Sequence, residues 1–208
     1  LPFGGPTVVR AADGSPEVNV WVVIRPDNTT VVRIARSEMG QGTLTGLAQL
    51  VAEELECDWS KVGTEYPTPG QSVARKRAWG DFSTGGSRGI RTSQEYVRKG
   101  GATARVMLIQ AAANEWKVPA SECTAVNSVI THTPSGKTTT YGKVVEAAAK
   151  LEPPADVKLK RLQVLQALEL QLLRRVVGQR GRRRARALAE DEAERTVETD
   201  LVDQAHHL

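Results

Sequence analysis

A predicted strand, a glycine-rich loop and a predicted helix follow one another in the first quarter of the chain. Residues 30–35 are mainly β-branched and follow a Pro-Asp-Asn turn, a pattern typical of the second strand of a hairpin. The loop reads Arg36-Ser-Glu-Met-Gly-Gln-Gly-Thr43. Apolar residues then recur at helical spacing from Leu44 to Leu55, and Thr43 is predicted to cap this helix. This order of elements makes the loop the first place to look for a ligand site.

The remainder of residues 17–160 alternates short strands and helices irregularly. The patterns predict a strand at 18–25, a short strand at 61–66, a helix at 92–116, a hairpin at 126–140 and a helix at 141–150. Gly100-Gly101 inside the long helix predicts either close packing against another backbone or a break between two helices. Frequent hairpins and irregular alternation favour an α+β fold of mixed hairpins and helices.

Composition excludes several classes of function. The chain is 40% hydrophobic and 25% charged, which is ordinary for a globular protein, and no apolar run approaches the ~18 residues of a membrane span. Cys57 and Cys123 belong to no Cys-x-x-Cys or Cys/His cluster, so we expect neither a disulfide framework nor a zinc site. His132, in a predicted strand, is expected to be a surface or packed residue. We therefore assign no metal ligand.

The character of the sequence changes near residue 160. All nine lysines lie at or before Lys160, whereas residues 161–208 contain nine arginines and no aromatic residue, proline or cysteine. We divide the chain into a flexible lead-in (1–16), a folded unit (17–160) and a charged tail that is helical or disordered (161–208). Because the chain starts at Leu1 rather than Met, we expect that an N-terminal piece has been removed or not recorded, a cleaved export signal being one explanation.

The tail has three interpretations. Abrupt loss of lysine with gain of arginine is what a GC-rich gene gives when it is translated in the wrong frame, so a frame-shifted or truncated tail is the first hypothesis. A solvated, charged helical extension is the second. Nucleic-acid binding through the arginines is the third, and it is disfavoured because the tail has no aromatic for base stacking and seven acidic residues follow at 190–203.

Two polar glycine loops make up the candidate ligand site. Gly40-Gln41-Gly42 lets a backbone approach a ligand and offers an amide donor and acceptor, and the following helix start presents N–H groups that favour an anion. Ser83-Thr-Gly-Gly-Ser-Arg-Gly89 supplies hydroxyls for a second wall. The pattern indicates a polar or anionic ligand, although a tight structural turn explains Gly-x-Gly equally well. Glu38 is a conceivable catalytic base, but a carboxylate beside such a turn more often orders the loop or faces solvent.

Eight motifs follow one another in a recognisable order: Trp21-Val-Val-Ile-Arg-Pro-Asp-Asn28, Arg36-Ser-Glu-Met-Gly-Gln-Gly-Thr43, Leu50-Val-Ala-Glu-Glu-Leu55, Asp58-Trp-Ser-Lys-Val62, Thr84-Gly-Gly-Ser87, Arg98-Lys-Gly-Gly-Ala-Thr-Ala-Arg105, Trp116-Lys-Val-Pro-Ala120 and Tyr141-Gly142. Together they closely resemble an N-terminal fragment of the large subunit of the isoquinoline 1-oxidoreductase and aldehyde dehydrogenase type, within the xanthine dehydrogenase superfamily. The resemblance covers residues 17 to about 158 and implies one molybdopterin-binding subdomain.

The resemblance implies a cofactor, a reaction and a partner. The family binds molybdopterin cytosine dinucleotide carrying molybdenum and hydroxylates N-heterocycles or aldehydes with oxygen from water. Electrons leave through a small partner subunit with two [2Fe–2S] clusters. By resemblance, Met39, Gly40, Gln41 and Gly42 contact the pterin and its phosphates, with Gln41 as the specific hydrogen-bonding side chain.

The same resemblance implies a second group of cofactor contacts. Gly85, Gly86 and Ser87 line the same cofactor, with Ser87 as the hydroxyl contact. Relatives commonly have a second serine where this chain has Gly89, so one hydrogen bond is missing or supplied by backbone.

The family's catalytic base does not occur in these residues. It is a glutamate preceded by glycine, and no Gly-Glu pair exists in the 208 residues, so we assign no catalytic residue. We expect this polypeptide alone to be incomplete and inactive, with weak or no cofactor retention. Relatives are often exported folded through a twin-arginine signal, so the periplasm is the expected location and the cytoplasm the alternative.

Two other functions stay open. The chain is alternatively a non-enzymatic module that binds an anion through its glycine loops and a partner through its arginine-rich tail. The third interpretation is an unstable fragment with exposed apolar surface where its missing half packs.

Overall fold

Four short strands form the first sheet, in which the first three are antiparallel neighbours and the fourth pairs parallel with the third. They are β1 (Glu17–Asn19), β2 (Val22–Ile24), β3 (Thr30–Arg33) and β4 (Val62–Glu65). Helix α1 (Thr43–Leu55) makes the crossover that joins β3 to its parallel neighbour β4. The computed structural model describes residues 8–160, nearly all of which lie in a compact unit that ends at Leu159.

The second sheet is an antiparallel meander in the order β5-β6-β7, consisting of β5 (Cys123–Val126), β6 (Val129–His132) and β7 (Thr138–Thr140). The other helices are α2 (Pro69–Ala74), α3 (Arg88–Arg91), α4 (Gln94–Trp116) and α5 (Tyr141–Ala148), with 3-10 turns at Trp59–Lys61 and Ala120–Glu122. Hairpins and a single parallel pair in one unit confirm the predicted α+β class. None of the helices in residues 8–160 combines the length and apolar composition that a membrane span requires.

The long helix α4 packs directly against α1 at Gly101 and against Trp21 at Gly100. A Cβ on Gly101 would lie 2.6 Å from the backbone oxygen of Val51, and one on Gly100 would lie 2.8 Å from the ring of Trp21. Nearby, the Arg98 guanidinium donates to the carboxylate of Glu54, whose side chain is 1% exposed. The prediction of close backbone packing at Gly100-Gly101 is confirmed, and the alternative of a helix break is wrong because α4 is continuous.

The structure differs from the local predictions in several places, one of which is the unpredicted helix α3. In two others a side chain makes a turn or cap. The single strand at 18–25 is divided into β1 and β2, because the Asn19 side chain accepts hydrogen bonds from the N–H groups of Trp21 and Val22 and turns the chain. Helix α2 lies in a segment for which no element was predicted, and Thr68 and Gln71 form its capping box. In addition, strand β5 begins at Cys123, before residue 126, where the predicted hairpin begins.

The structure describes part of the N-terminal lead-in but not the C-terminal tail. Residues 8–16 form a small turn in which Glu17 N–H donates to the Val9 carbonyl, and Arg10 pairs with Glu146 of α5 at 2.9 Å. The predicted charged tail at 161–208 and its three interpretations lie outside the described residues.

Candidate functional site

Arg36 holds the two glycine loops together. It follows β3 closely, is 7% exposed, and its guanidinium donates to Ser93 Oγ at 3.0 Å and to the carbonyl oxygens of Asp81 (2.9 Å) and Ser83. Beside it, the Ser37 N–H donates to Thr84 Oγ1 at 2.9 Å. These bonds join residues 36–37 to residues 81–93. Two loops that are more than 40 residues apart in sequence therefore form one surface.

Gly89 closes the contact between the loops on the other side. It is buried in α3, and a Cβ on it would lie 2.6 Å from Thr43 Oγ1 and 3.0 Å from Thr43 Cγ2. A serine at this position, as expected from relatives, does not fit this packing. Gly89 therefore permits the close approach of α3 to the first turn of α1.

Glu38 caps α1 from within the loop. Its carboxylate accepts hydrogen bonds from the N–H groups of Gly40 (2.7 Å), Gly42 (2.9 Å) and Leu44 (2.9 Å). These bonds, of which those from Leu44 and Gly42 contribute most, hold the pKa of Glu38 below its usual value, so the side chain is ionised near neutral pH. The interpretation of Glu38 as a loop-ordering residue is confirmed.

The prediction that Thr43 caps α1 is wrong, and the start of this helix already holds a carboxylate. Thr43 is the first helical residue rather than the cap, and its hydroxyl instead accepts from the Gln41 amide. Of the N–H groups in the first turn of α1, that of Leu44 donates to the Glu38 carboxylate, as do the loop N–H groups of Gly40 and Gly42. A negative charge of the protein itself therefore already lies at the helix start.

Gln41 uses most of its amide inside the loop. Its Oε1 accepts from Met39 N–H at 2.6 Å, and its Nε2 donates to the Ser37 carbonyl at 2.8 Å and to Thr43 Oγ1 at 3.0 Å. Both amide hydrogens are engaged, which leaves one acceptor lone pair for a ligand. Around it Gly40, Gln41 and Gly42 are exposed, and Met39 is 72% exposed.

Gly85, Gly86 and Ser87 present open backbone on the second loop. All three are exposed, and Gly86 and Ser87 adopt left-handed φ angles of 66° and 56°. A Cβ on Gly85 would meet nothing within 4 Å, and its φ is outside the left-handed region. Neither packing nor backbone conformation therefore requires glycine at 85. Ser87 makes no side-chain cap hydrogen bond to α3, which leaves its hydroxyl on the same exposed surface.

All seven predicted site residues lie on two loops that the fold brings together. Sequence reasoning assigned no role to Arg36, Arg88 or Arg91, although all three shape or flank the loops. The signal for Arg36 is its place in the motif that follows a buried strand.

Other polar groups stand apart from these loops. His132 bonds to Ser135 Oγ at 2.7 Å and Glu122 Oε2 at 2.8 Å, as a packed residue. Cys57 and Cys123 are buried, free thiols. Within residues 8–160 no group of three or more His, Cys, Asp and Glu side chains is placed to hold a metal ion.

This arrangement of fold and loops corresponds to a known class. Residues 3–166 match the family model described as molybdopterin cofactor-binding domain. That match covers most of the 208 residues, so the chain belongs to this family of cofactor-binding domains.

Two curated relatives are much longer than this chain. "Isoquinoline 1-oxidoreductase subunit beta" of Brevundimonas diminuta is 34% identical over 140 residues, 64% of this chain and 18% of the relative. "Membrane-bound aldehyde dehydrogenase [pyrroloquinoline-quinone]" of Gluconacetobacter polyoxogenes is 34% identical over 133 residues, 64% of this chain and 16% of the relative. The chain thus spans less than a fifth of the length of either relative.

Solved structures also overlap with it in part. Quinoline 2-oxidoreductase from Pseudomonas Putida 86 superposes with a TM-score of 0.41 at 18% identity, over 66% of this chain and 17% of the other.

The exposed loop residues fit a molybdopterin. The glycines at 40, 42, 85 and 86 leave the space above them open, since a Cβ at any of them would meet nothing within 4 Å. The surface offers a free hydroxyl and backbone groups, which suit the polar edge of a pterin.

Proposed function

We propose that residues 39–42 and 85–87 form one wall of a molybdopterin site in a molybdenum-dependent oxidoreductase. The observation that carries this proposal is Gly85, a glycine that the fold itself does not need, on a surface that two distant loops share. Close approach of a ligand to the backbone gives a reason for glycine there. Membership of the molybdopterin cofactor-binding family supports a molybdopterin as this ligand.

Each residue has a separate part in this wall. Gln41 accepts one hydrogen bond from the ligand with its remaining lone pair and otherwise keeps the loop in shape. Ser87 offers its hydroxyl, and the glycines offer backbone groups at short range. Met39 is apolar and exposed, so it covers a face of the ligand. When bound, the cofactor supplies the molybdenum centre that takes up two electrons.

The whole enzyme is proposed to hydroxylate N-heterocycles or aldehydes with oxygen from water. The two substrate classes rest on the resemblance and on the names of the relatives. The cytosine dinucleotide form of the cofactor, the small [2Fe–2S] partner subunit and a periplasmic location rest on the resemblance alone. The proposed role of this chain is narrower. It positions the cofactor and supplies no catalytic base.

Exposed apolar side chains at the rim of the loops support a shared cavity. Met39 is 72% exposed, Tyr66 52% and Ile90 39%, and exposed apolar surface beside a polar site is typical of a face that further protein covers. We therefore propose that this polypeptide alone binds the cofactor weakly and does not turn over. Stoichiometric molybdenum in the purified chain, with substrate-dependent dye reduction, would contradict this.

A matched pair of glycine substitutions tests the site. A Cβ added at Gly85 or at Gly63 would meet no atom within 4 Å, and neither residue has a left-handed φ, so Gly85→Val and Gly63→Val should both fold. Equilibrium dialysis against molybdopterin dinucleotide released anaerobically from a purified molybdenum hydroxylase, with molybdenum as the readout, measures binding. We expect Gly85→Val to weaken it about tenfold, equivalent to ~1.4 kcal/mol, and Gly63→Val to leave it unchanged. Equal binding by both variants would refute the proposed site.

A further inference from the structure

Arg36 is a buried cation with no carboxylate partner within residues 8–160. Its guanidinium, in a residue that is 7% exposed, donates only to neutral oxygens, those of Ser93, Asp81 (backbone) and Ser83 (backbone). The ion pairs of the described residues do not include it. Since buried charges are normally paired, the positive charge beneath residues 81–89 calls for an anion from outside the described chain.

Two further guanidinium groups flank the same loop. Arg88 Nε donates to the Gly85 carbonyl at 3.0 Å and its Nη2 to Ser83 Oγ at 2.5 Å, which leaves three of its five N–H groups without a hydrogen bond to a described residue. Arg91 Nη2 donates to the Gly86 carbonyl at 3.5 Å. The carboxylate of Asp81 lies 3.7 Å from Arg88, but its side chain is 62% exposed, and such surface pairs are weak. Arg91 forms no ion pair with a described residue. The open Gly85-Gly86 backbone therefore lies between cations that retain donors for a ligand.

The other glycine loop has the opposite electrostatic character. The ionised Glu38 carboxylate already accepts from Gly40, Gly42 and Leu44. A phosphate placed there would meet a negative charge and compete for donors that are in use. The two loops therefore differ in charge, and only the loop that contains Gly85 and Gly86 favours an anion.

We propose that Arg88 and Arg91, above the buried Arg36, bind the phosphate groups of the ligand, and that residues 40–42 contact its uncharged part. Guanidinium groups bind phosphate oxygens through paired, charge-assisted hydrogen bonds. This assignment replaces the expectation that residues 39–42 contact the phosphates. It rests on the proposed function for the identity of the ligand, whereas the anion preference rests on the charges alone.

Titration of the full chain with inorganic pyrophosphate tests the assignment. With ¹⁵N-labelled glycine and arginine, we expect saturable shifts of the Gly85 and Gly86 amides and of the Arg88 and Arg91 side-chain signals, and no shift at Gly40. The double variant Arg88→Gln/Arg91→Gln should bind pyrophosphate at least about tenfold more weakly, because it loses charge-assisted hydrogen bonds.

A matched arginine serves as control, and a second ligand separates the two proposals. Arg25 has a side chain that is 43% exposed and pairs with Asp13, and Arg25→Gln should bind pyrophosphate like the wild type. Unchanged binding in the double variant, or an equal loss in Arg25→Gln, would overturn the assignment. If the released cofactor shifts the amide signal of Gly40 but pyrophosphate does not shift that of Gly85, the phosphate assignment is wrong and the proposed function stands. If pyrophosphate shifts Gly85 and the cofactor does not shift Gly40, the anion site stands and the proposed function fails.

A further variant tests whether Glu38 is the reason why the loop at residues 40–42 does not favour an anion. Glu38→Ala frees three N–H donors at the start of α1, so pyrophosphate should now also shift Gly40 and Gly42. Absence of these new shifts in a folded Glu38→Ala chain would contradict the role given to Glu38.

Discussion

The contact between Gly89 and Thr43 joins the two halves of the candidate site, and Gly89→Ala perturbs it with one methyl group. The new Cβ would lie 2.6 Å from Thr43 Oγ1 and 3.0 Å from Thr43 Cγ2, so α3 or the first turn of α1 must shift. Overpacking of a well-packed site costs about 1–3 kcal/mol, and replacing a helical glycine by alanine returns about 1 kcal/mol. We expect a net loss of ~1 kcal/mol in the free energy of unfolding.

A double-mutant cycle measured by urea unfolding isolates the contact. Thr43→Ala removes both of the closest atoms, so Gly89→Ala should cost less in that background, with a coupling energy of about 1–2 kcal/mol. Gly85→Ala is the matched control in the same loop: its Cβ meets nothing within 4 Å, and its effect should stay within about 0.5 kcal/mol. If Gly89→Ala costs the same with Thr43 and with Ala at 43, the two loops do not pack as described.

Two further predictions concern titratable groups outside the loops. Burial raises the pKa of Glu17, but the hydrogen bonds that its carboxylate accepts, first from Arg75, outweigh this effect and hold the pKa below the ordinary 4.5. Ionised Glu17 therefore stabilises the fold above pH 4.5. This stabilisation is lost as the pH falls through the lowered pKa of Glu17. Below pH 4.5, the free energy of unfolding of Glu17→Gln should depend less on pH than that of the wild type. The control Glu115→Gln, at an exposed position, should follow the wild type. The same pH dependence in Glu17→Gln and the wild type would contradict the lowered pKa. Burial raises the pKa of the Cys57 thiol to about 12 and also raises the pKa of Cys123. Ellman's reagent at pH 8 should therefore label both thiols only after unfolding. Rapid labelling of the native chain would be inconsistent with this burial.

Local patterns were enough to predict most of the fold. Apolar spacing predicts α1 and α4, which extend over 13 and 23 residues, because one face of each packs against the other. Short elements depend on single side chains instead. The Asn19 turn divides one apparent strand into two, and the capping box at Thr68 starts α2 where no element was predicted. Thr68-x-x-Gln71 was a readable signal for that helix.

The candidate site was predictable in position but not in charge. Motifs place Gln41 and Ser87 on glycine loops, and the structure brings those loops together. The role of Arg36 could not be predicted from the sequence, because it depends on partners that the fold brings close: Arg36 bonds to residues 45–57 positions away. The loop-ordering role of Glu38 was predictable, because its partners lie within six residues of it in sequence. Local residue types therefore indicate the location of the site and the role of Glu38, whereas long-range hydrogen bonds decide how Arg36 is used.

Mapping cofactor contacts by ¹⁵N-glycine NMR is the most direct test of a molybdopterin wall built from two loops. The full chain is titrated anaerobically with released molybdopterin dinucleotide, and the amide signals of all glycines are followed together. We expect shifts at Gly40, Gly42, Gly85 and Gly86 that saturate in parallel. Signals of Gly136, in the turn between β6 and β7, should not move. Shifts confined to one loop, or equal shifts at Gly136, would contradict a shared cofactor surface.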